Sequence, residues 1–232
     1  MIGRTGFVFV AILGVLFGCG GGTAPPPPQA SALRVLHTIF NGPTLNIIVD
    51  SRTVQRNLMF GQTSSDVDLA PGDHTLEPRP PQDTTRRLLL VFPSTGGVNY
   101  TAFVLDSVKG DTVIIDPVLV SDTGSQPAPG HGRLRLVNFA ALAGTIDAYR
   151  TQPDSTGLIL TLQPLNYRAI TPYFESTAGK WTVVISHGGI RDTLLMTDSI
   201  AVNGGQARTV AIIDSAGGEG GGRVSWRVVV DR

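Results

Sequence analysis

An internal repeat constrains the fold of this chain more than any other feature of its sequence. The segment LRVLHTIFNGPTLNIIV from Leu33 aligns without a gap with LRLVNFAALAGTIDAYR from Leu134. Further along, APGDHTLEP (70–78) aligns with TAGKWTVVI (177–185), and GGVNYTAFVLDS (96–107) aligns with GGQARTVAIIDS (204–215). Because the three matches occur in the same order, the sequence predicts two copies of one domain.

The stretch between the copies, SDTGSQPAPGHG, has the Gly, Pro, Ser and Asp composition of a linker. We therefore place the first domain at residues 32–123, a linker at 124–131 and the second domain at 132–232. Asp122 is assigned to a turn at this linker.

Each copy has the patterning of β-strands. Leu45, Ile47 and Val49 alternate with polar residues, as in a strand with one buried face. Runs such as YTAFVLD and TVAIID are continuously apolar, which predicts strands covered on both sides or at a domain contact. With 28 Gly and 16 Pro between such runs, and no amphipathic helical repeat, we expect an all-β protein. Roughly seven strands per copy predict two tandem immunoglobulin-like β-sandwich domains.

The amino terminus has the pattern of a signal peptide over residues 1–18. Arg4 is followed by an apolar run at 7–17, which is too short for a membrane-spanning helix of about 20 residues. Glycines 20–22 and prolines 25–28 then predict a flexible and extended tether at 19–31.

The end of the signal peptide resembles the lipobox of bacterial lipoproteins. Leu16, Phe17 and Gly18 precede Cys19, the only cysteine of the chain, although a small residue is commoner at the position of Phe17. The resemblance implies lipid attachment at Cys19, which becomes the first residue of the mature protein. Two or three acyl chains would hold the protein on a membrane. The alternative is a plain secretory peptide that contains a cysteine.

The repeat is also similar to an envelope-protein family, the domain of unknown function 4397. The similarity lies in the segments LRVLHTIFNGPTLNIIVDSRTV, NLMFGQTSSDVDLAPGDHTLEPRP and VNYTAFVLDS. The second copy departs from the pattern where Asn138 replaces His37 and where Arg150 ends its strand. This resemblance implies a location in the cell envelope. In a Gram-negative cell, Gly20 after the cysteine implies the outer membrane, because Asp there resembles an inner-membrane retention signal.

Several short motifs have alternative interpretations. Asp122-Thr123-Gly124-Ser125 resembles the active-site motif of aspartic proteases, which need two converging carboxylates, and the second copy offers only Asp214-Ser215. Ser186-His187-Gly188-Gly189 is interpreted as a hairpin loop rather than an oxyanion loop, since no GxSxG nucleophile turn is present.

Metal and nucleic-acid sites are not predicted. The histidines at 37, 74, 131 and 187 lack zinc-ligand spacing, and His74, which aligns with Trp181, is expected to pack. Two sets of three aspartates, Asp66/Asp68/Asp73 and Asp106/Asp111/Asp116, could each converge on a calcium ion, so a calcium site remains an open alternative. The formal net charge is zero, which gives no electrostatic footprint for nucleic acid.

The functional hypothesis is therefore a non-catalytic, lipid-anchored binding or adhesion module of the cell envelope, without a cofactor or metal. Its partner would be an envelope protein or a glycan. The alternatives are a structural or accessory subunit of an envelope complex and, as a third hypothesis, a secreted hydrolase with a polar constellation in a pocket.

Overall fold

A computed structural model describes residues 29–83, 89–109, 112–151, 157–190, 192–215 and 224–231. The signal peptide, the lipobox and most of the tether, including Cys19, lie outside these ranges. Within them, the regular elements are the strands Ser31–His37 (β1), Leu45–Val49 (β2), Arg52–Leu58 (β3), Val67–Leu69 (β4), Gly72–Arg79 (β5), Leu90–Ser94 (β6), Tyr100–Lys109 (β7), Thr112–Ser121 (β8), His131–Phe139 (β9), Ile146–Thr151 (β10), Leu158–Leu165 (β11), Phe174–Thr177 (β12), Gly179–Trp181 (β13), Val183–His187 (β14), Leu195–Met196 (β15), Ile200–Val202 (β16), Ala207–Asp214 (β17) and Val224–Asp231 (β18). Nothing in the described ranges forms a helix able to cross a lipid bilayer.

The two halves of the chain share one strand order. In the first half the sheets are β4-β1-β7-β8 and β3-β2-β5-β6. In the second half they are β12-β9-β17-β18 and β11-β10-β14-β15, with β13 and β16 as a separate pair. The strands β1 and β7 run parallel, and so do their counterparts β9 and β17. The separate pair arises because the counterpart of β5 is divided into β13 and β14, and the counterpart of β6 is divided into β15 and β16.

The all-β prediction is confirmed, and the strands are arranged in several sheets as sandwiches require. The strand order is a detail that the sequence did not reveal. An immunoglobulin constant domain has seven strands in sheets ABED and CFG. Here the described part of the first half has eight, and its first strand lies between the fourth and the seventh.

Each half encloses its own apolar core between its two sheets. Along β1, Leu33 and Val35 face the first core, together with Ile47 of β2 and Leu76 of β5. In the second half Trp181 is fully buried within the corresponding core. Because side chains alternate along a strand, the intervening residues of β1 point to the opposite face of the sheet.

Those opposite faces pack against each other and form a third apolar layer, which we call the junction. Phe103 of β7 and Phe139 of β9 meet there with ring centroids 4.8 Å apart. The buried apolar residues of the junction are Leu36, Phe103, Leu105, Val120, Val137, Phe139, Ala211, Ile213 and Val229. This layer explains the continuous apolar runs of β7 and β17, since both faces of these strands are buried. By contrast, RRLLLVF ends in the sheet-edge strand β6, where Val91 is 61% exposed.

The aligned positions His37 and Asn138 perform the same structural role at the ends of β1 and β9. His37 Nδ1 accepts from Ile39 N–H at 3.2 Å, and its Nε2 lies 2.8 Å from the carbonyl of Pro43. Asn138 Oδ1 accepts from Ala140 N–H at 3.1 Å, and its Nδ2 donates to the carbonyl of Gly144 at 2.8 Å. Both side chains therefore bond the N–H two residues ahead and the carbonyl six residues ahead.

A second aligned pair, His74 and Trp181, also corresponds in detail. His74 Nε2 lies 2.7 Å from the carbonyl of Ala70, and Trp181 Nε1 donates to the carbonyl of Thr177 at 3.2 Å. In both cases the acceptor is the residue four positions earlier. His74 is also buried beside Phe92, with ring centroids 5.9 Å apart, which agrees with its expected packing role.

We predict that His37→Asn folds normally and makes the protein less sensitive to acid. Burial lowers the pKa of His37, and its hydrogen bond with Pro43 only partly offsets this effect. The unfolded chain therefore takes up a proton more readily, and His37 costs stability as the pH falls through about 6.5. The variant, with the residue found at position 138, should lose less stability between pH 7.5 and pH 5 in urea unfolding. His131→Asn is the control, and an acid response of His37→Asn equal to that of wild type would contradict the prediction.

Candidate functional site at the junction

Two arginines and two aspartates meet at one end of the junction and form a buried group that we call the junction cluster. Arg135 Nη2 lies 2.7 Å from Asp122 Oδ1, and Arg34 Nη2 lies 3.0 Å from Asp122 Oδ2. Asp231 Oδ1 is 3.6 Å from Arg34 and 3.8 Å from Arg135. Both aspartate side chains are only 1% exposed. Each arginine contacts one aspartate from each half, so the cluster links the two halves.

The repeat builds the cluster from equivalent positions. Arg34 Nε donates to Thr101 Oγ1 at 3.0 Å, and Arg135 Nε donates to Thr209 Oγ1 at 2.6 Å. The strand pairing explains this symmetry, because Arg34 is the partner of Thr101 between β1 and β7, and Arg135 is the partner of Thr209 between β9 and β17. Asp231 closes the arrangement by accepting from the Thr209 hydroxyl at 2.6 Å.

Burial governs the ionisation of this group. Burial and the nearby Asp231 carboxylate raise the pKa of Asp122 to about 6, although Arg135 and Arg34 lower it. Tyr173 donates its hydroxyl to Asp231 at 2.8 Å, and burial beside that carboxylate raises the pKa of Tyr173 far above its ordinary value. The ring of Tyr173 lies 4.6 Å from the Arg135 guanidinium carbon, a cation–π contact.

Every nitrogen of the Arg135 guanidinium is used within the protein. Besides the bonds to Thr209 and Asp122, Nη1 donates to the carbonyl of Ser121 at 2.9 Å. Arg135 therefore has no donor nitrogen without a protein acceptor. We conclude that Arg135 positions the two halves and the adjacent surface rather than binding an anion itself.

A groove of about 430 Å³ opens beside the cluster. One wall is the free edge of β8, and the other is the segment before β12. The lining residues are Leu119, Val120, Ser121, Thr123, Arg135, Ile170, Thr171, Pro172 and Tyr173. Arg168 Nη1 and Asp116 Oδ2, 2.6 Å apart, form another ion pair between the same two segments.

The β8 wall presents backbone as well as side chains. Asp122 N–H donates to the carbonyl of Asn99 at 2.8 Å, on the side of β7. Because the backbone groups of successive strand residues point to alternate sides, the N–H and carbonyl of Ser121 point away from β7. The bond from Arg135 to the Ser121 carbonyl confirms this direction. On the opposite wall, Ile170 is 40% exposed. The groove thus combines apolar side chains with hydroxyl and backbone polar groups, and its lining contains no carboxylate or histidine.

The structure corrects one expectation and clarifies others. Asp122 is not a simple linker-turn residue, because its side chain is buried among the arginines of the junction. Ser186-His187-Gly188-Gly189 does lie at a hairpin, between the antiparallel strands β14 and β15. Of the lipobox and anchor residues, Leu16, Phe17, Gly18 and Cys19 all lie outside the described residues.

The open calcium hypothesis gains no support from the described residues. Among them, no three His, Cys, Asp or Glu side chains are grouped as metal ligands. Asp111, one of the six carboxylates considered, lies outside the described ranges.

Asp231 is the member of the junction cluster that the sequence alignment missed. The aligned segments end at Asp214-Ser215, which suggested that Asp122 had no counterpart. Val120 pairs with Thr101 between β7 and β8, and Val229 pairs with the aligned Thr209 between β17 and β18. Asp122 and Asp231 each lie two residues beyond these equivalent valines. The signal was present in VLVSD and RVVVD, which both end in aspartate.

A family model described as Domain of unknown function (DUF4397) matches residues 31–149. The match covers just over half of the chain, from the start of β1 into β10. The chain belongs to the DUF4397 family. No curated protein matches it significantly.

Proposed function

We propose that this DUF4397 protein is a lipid-anchored component of the cell envelope that binds an envelope protein or a glycan at the junction groove. In this proposal residues 132–232 are a second copy of the family domain, and Cys19 carries the lipid. The protein has no catalytic role, and in a Gram-negative cell it lies on the outer membrane.

The anchor proposal is supported by the position of Cys19. The only cysteine of the chain follows an apolar run that is too short to span a membrane, and a flexible tether follows the cysteine. Strand β1 begins at Ser31, so the tether leads directly into the first sandwich.

The binding proposal rests on one observation, the groove beside the junction cluster. Its walls come from both halves, and the ion pairs of the cluster hold β8 and β9 together next to it. A groove lined by apolar side chains, hydroxyl groups and the fully bonded guanidinium of Arg135 suits a partner that offers apolar surface and hydrogen-bonding groups. Concave and largely preformed sites of this kind cost little to order on binding.

Cys19→Ala is expected to release the protein from the membrane fraction. Without the thiol there is no acyl attachment, and the sequence contains no run of about 20 apolar residues that could replace it as an anchor. Thr23→Ala, in the same tether, is the control and should remain membrane-bound and labelled by radioactive fatty acid. If Cys19→Ala stays in the membrane with unchanged labelling, the anchor proposal is wrong.

Ile170→Glu is expected to abolish partner binding while the fold is retained. The side chain is 40% exposed on the groove wall, so a carboxylate there places charge in the groove with little effect on the cores. Cross-linking in intact envelopes and glycan-array binding measure the effect. Leu142→Glu, at a residue that is 58% exposed outside the groove lining, is the matched control. Equal capture by both variants would favour an accessory subunit that does not use the groove.

A further inference from the structure

Arg150 is a buried arginine in the second half that has no counterion among the described residues. It lies near the end of β10 and is only 8% exposed. Its Nε and Nη1 atoms have no hydrogen-bond partner. Among the described residues, the ion pairs within 4.0 Å do not include Arg150. Burial lowers the pKa of Arg150.

Two aromatic rings flank this guanidinium. Its central carbon lies 5.2 Å from the ring centroid of Trp181 and 5.9 Å from that of Phe174. Cation–π contacts at these distances stabilise a guanidinium only weakly. Leaving a buried charge unpaired is much more costly. The rings therefore offset only part of the cost and leave Nε and Nη1 without acceptors.

The first half shows that the fold itself does not need this arrangement. The position equivalent to Arg150 is Val49, a core residue that is 3% exposed. Val67 occupies the place of Phe174, because each pairs with the equivalent leucine of β1 or β9. His74 occupies the place of Trp181. Three strands of the second half thus differ together, and the differences place a cation between aromatic rings where the first half has core and packing residues.

We propose that Arg150, with Trp181 and Phe174 as walls, forms a binding site for a small oxyanion group, a carboxylate or a phosphate. The planar guanidinium matches the geometry of such groups and can donate two parallel hydrogen bonds to them. This site is separate from the junction groove, whose lining does not include these residues.

The test compares sodium acetate and sodium phosphate with sodium chloride at equal ionic strength, using the full purified chain. Thermal unfolding and tryptophan fluorescence are recorded together, since Trp181 is one of two tryptophans. Wild type should show a saturable rise in unfolding temperature of roughly 5 °C and a saturable fluorescence change with at least one of the two oxyanions. The more effective salt shows whether the group is a carboxylate or a phosphate.

Arg150→Val, which carries the residue of the equivalent first-half position, should lose both responses. Arg168→Gln, at an arginine whose side chain is 37% exposed, should keep them. If Arg150→Val does not fold, Arg150→Lys replaces it and should weaken binding at least tenfold, because an ammonium lacks the planar fork. Responses of equal size in wild type and the Arg150 variant, or no response in wild type, would overturn the proposal.

Discussion

Replacing Arg135 with methionine should lower the free energy of unfolding by about 3 to 5 kcal/mol, because the change leaves Asp122 buried without its closest cation. Arg135 Nη2 lies 2.7 Å from Asp122, and both side chains are almost fully buried. The same substitution removes the donors to Thr209 and to the carbonyl of Ser121. Urea unfolding at pH 8 measures the effect.

The matched control for this change is Arg168→Met. Arg168 Nη1 is 2.6 Å from Asp116, a contact as short as the one in the cluster, and it also joins the two halves. The two side chains are 37% and 33% exposed, so solvent screens them and the expected loss is below about 1 kcal/mol. Equal losses of unfolding free energy for the two variants would show that the buried ion pair stabilises the protein no more than the exposed one does.

The penalty of Arg135→Met should also depend on pH. The pKa of Asp122 in the folded protein, about 6, already exceeds its ordinary value of 3.8. A group whose pKa is raised by folding stabilises the protein at low pH, and that contribution disappears as the pH rises through the folded value. Without Arg135 the pKa rises further, so the penalty should be smaller at pH 4.5 than at pH 8. A penalty that grows in acid would contradict this.

Adding Asp122→Asn to Arg135→Met should recover part of the loss at pH 8. The double variant has no buried carboxylate at position 122, and Asp231 keeps Arg34 as its counterion at 3.6 Å. A double-mutant cycle from the four unfolding free energies gives the coupling between the two residues. Strictly additive effects would show that the two residues do not act as a pair.

Strand patterning was sufficient to predict the class of the fold and the corresponding side-chain positions of the two halves. The alignment placed Asn138 against His37, and both residues make the same two kinds of hydrogen bond. The continuous apolar run of β7 correctly indicated a strand buried on both faces, because Ala102 and Val104 face the core and Phe103 and Leu105 face the junction. These features depend on local periodicity, which a sequence displays directly.

The candidate site could not be predicted in the same way, because it depends on how two sheets lie across each other. Alternation places Arg34 and Arg135 on the outer faces of their sheets, where arginine ordinarily meets solvent. Only the packing of those outer faces brings Arg135 to Asp122 and Arg34 toward Asp231. The groove likewise forms between β8 and Ile170, whose proximity no strand pattern indicates.

Replacing Phe103 with alanine should test whether the junction makes the two halves one cooperative unit. Phe103 is fully buried in the junction layer, and truncation of such a ring costs about 3 to 5 kcal/mol. Leu76→Ala, inside the first core, is the matched comparison and should cost about 2 to 5 kcal/mol without weakening the contact between halves.

The two variants differ in the shape of their unfolding transitions. Phe103→Ala removes contact with Phe139 of the other half, so the first and second sandwiches should begin to unfold separately. The ratio of calorimetric to van't Hoff enthalpy should then exceed one, whereas Leu76→Ala lowers the stability of the first core while the junction still couples the halves. Val91→Ala, at a residue that is 61% exposed, should change stability by less than about 0.5 kcal/mol. If Phe103→Ala retains the wild-type enthalpy ratio, the junction is not what couples the sandwiches, and the ion pairs of the cluster must carry that coupling instead.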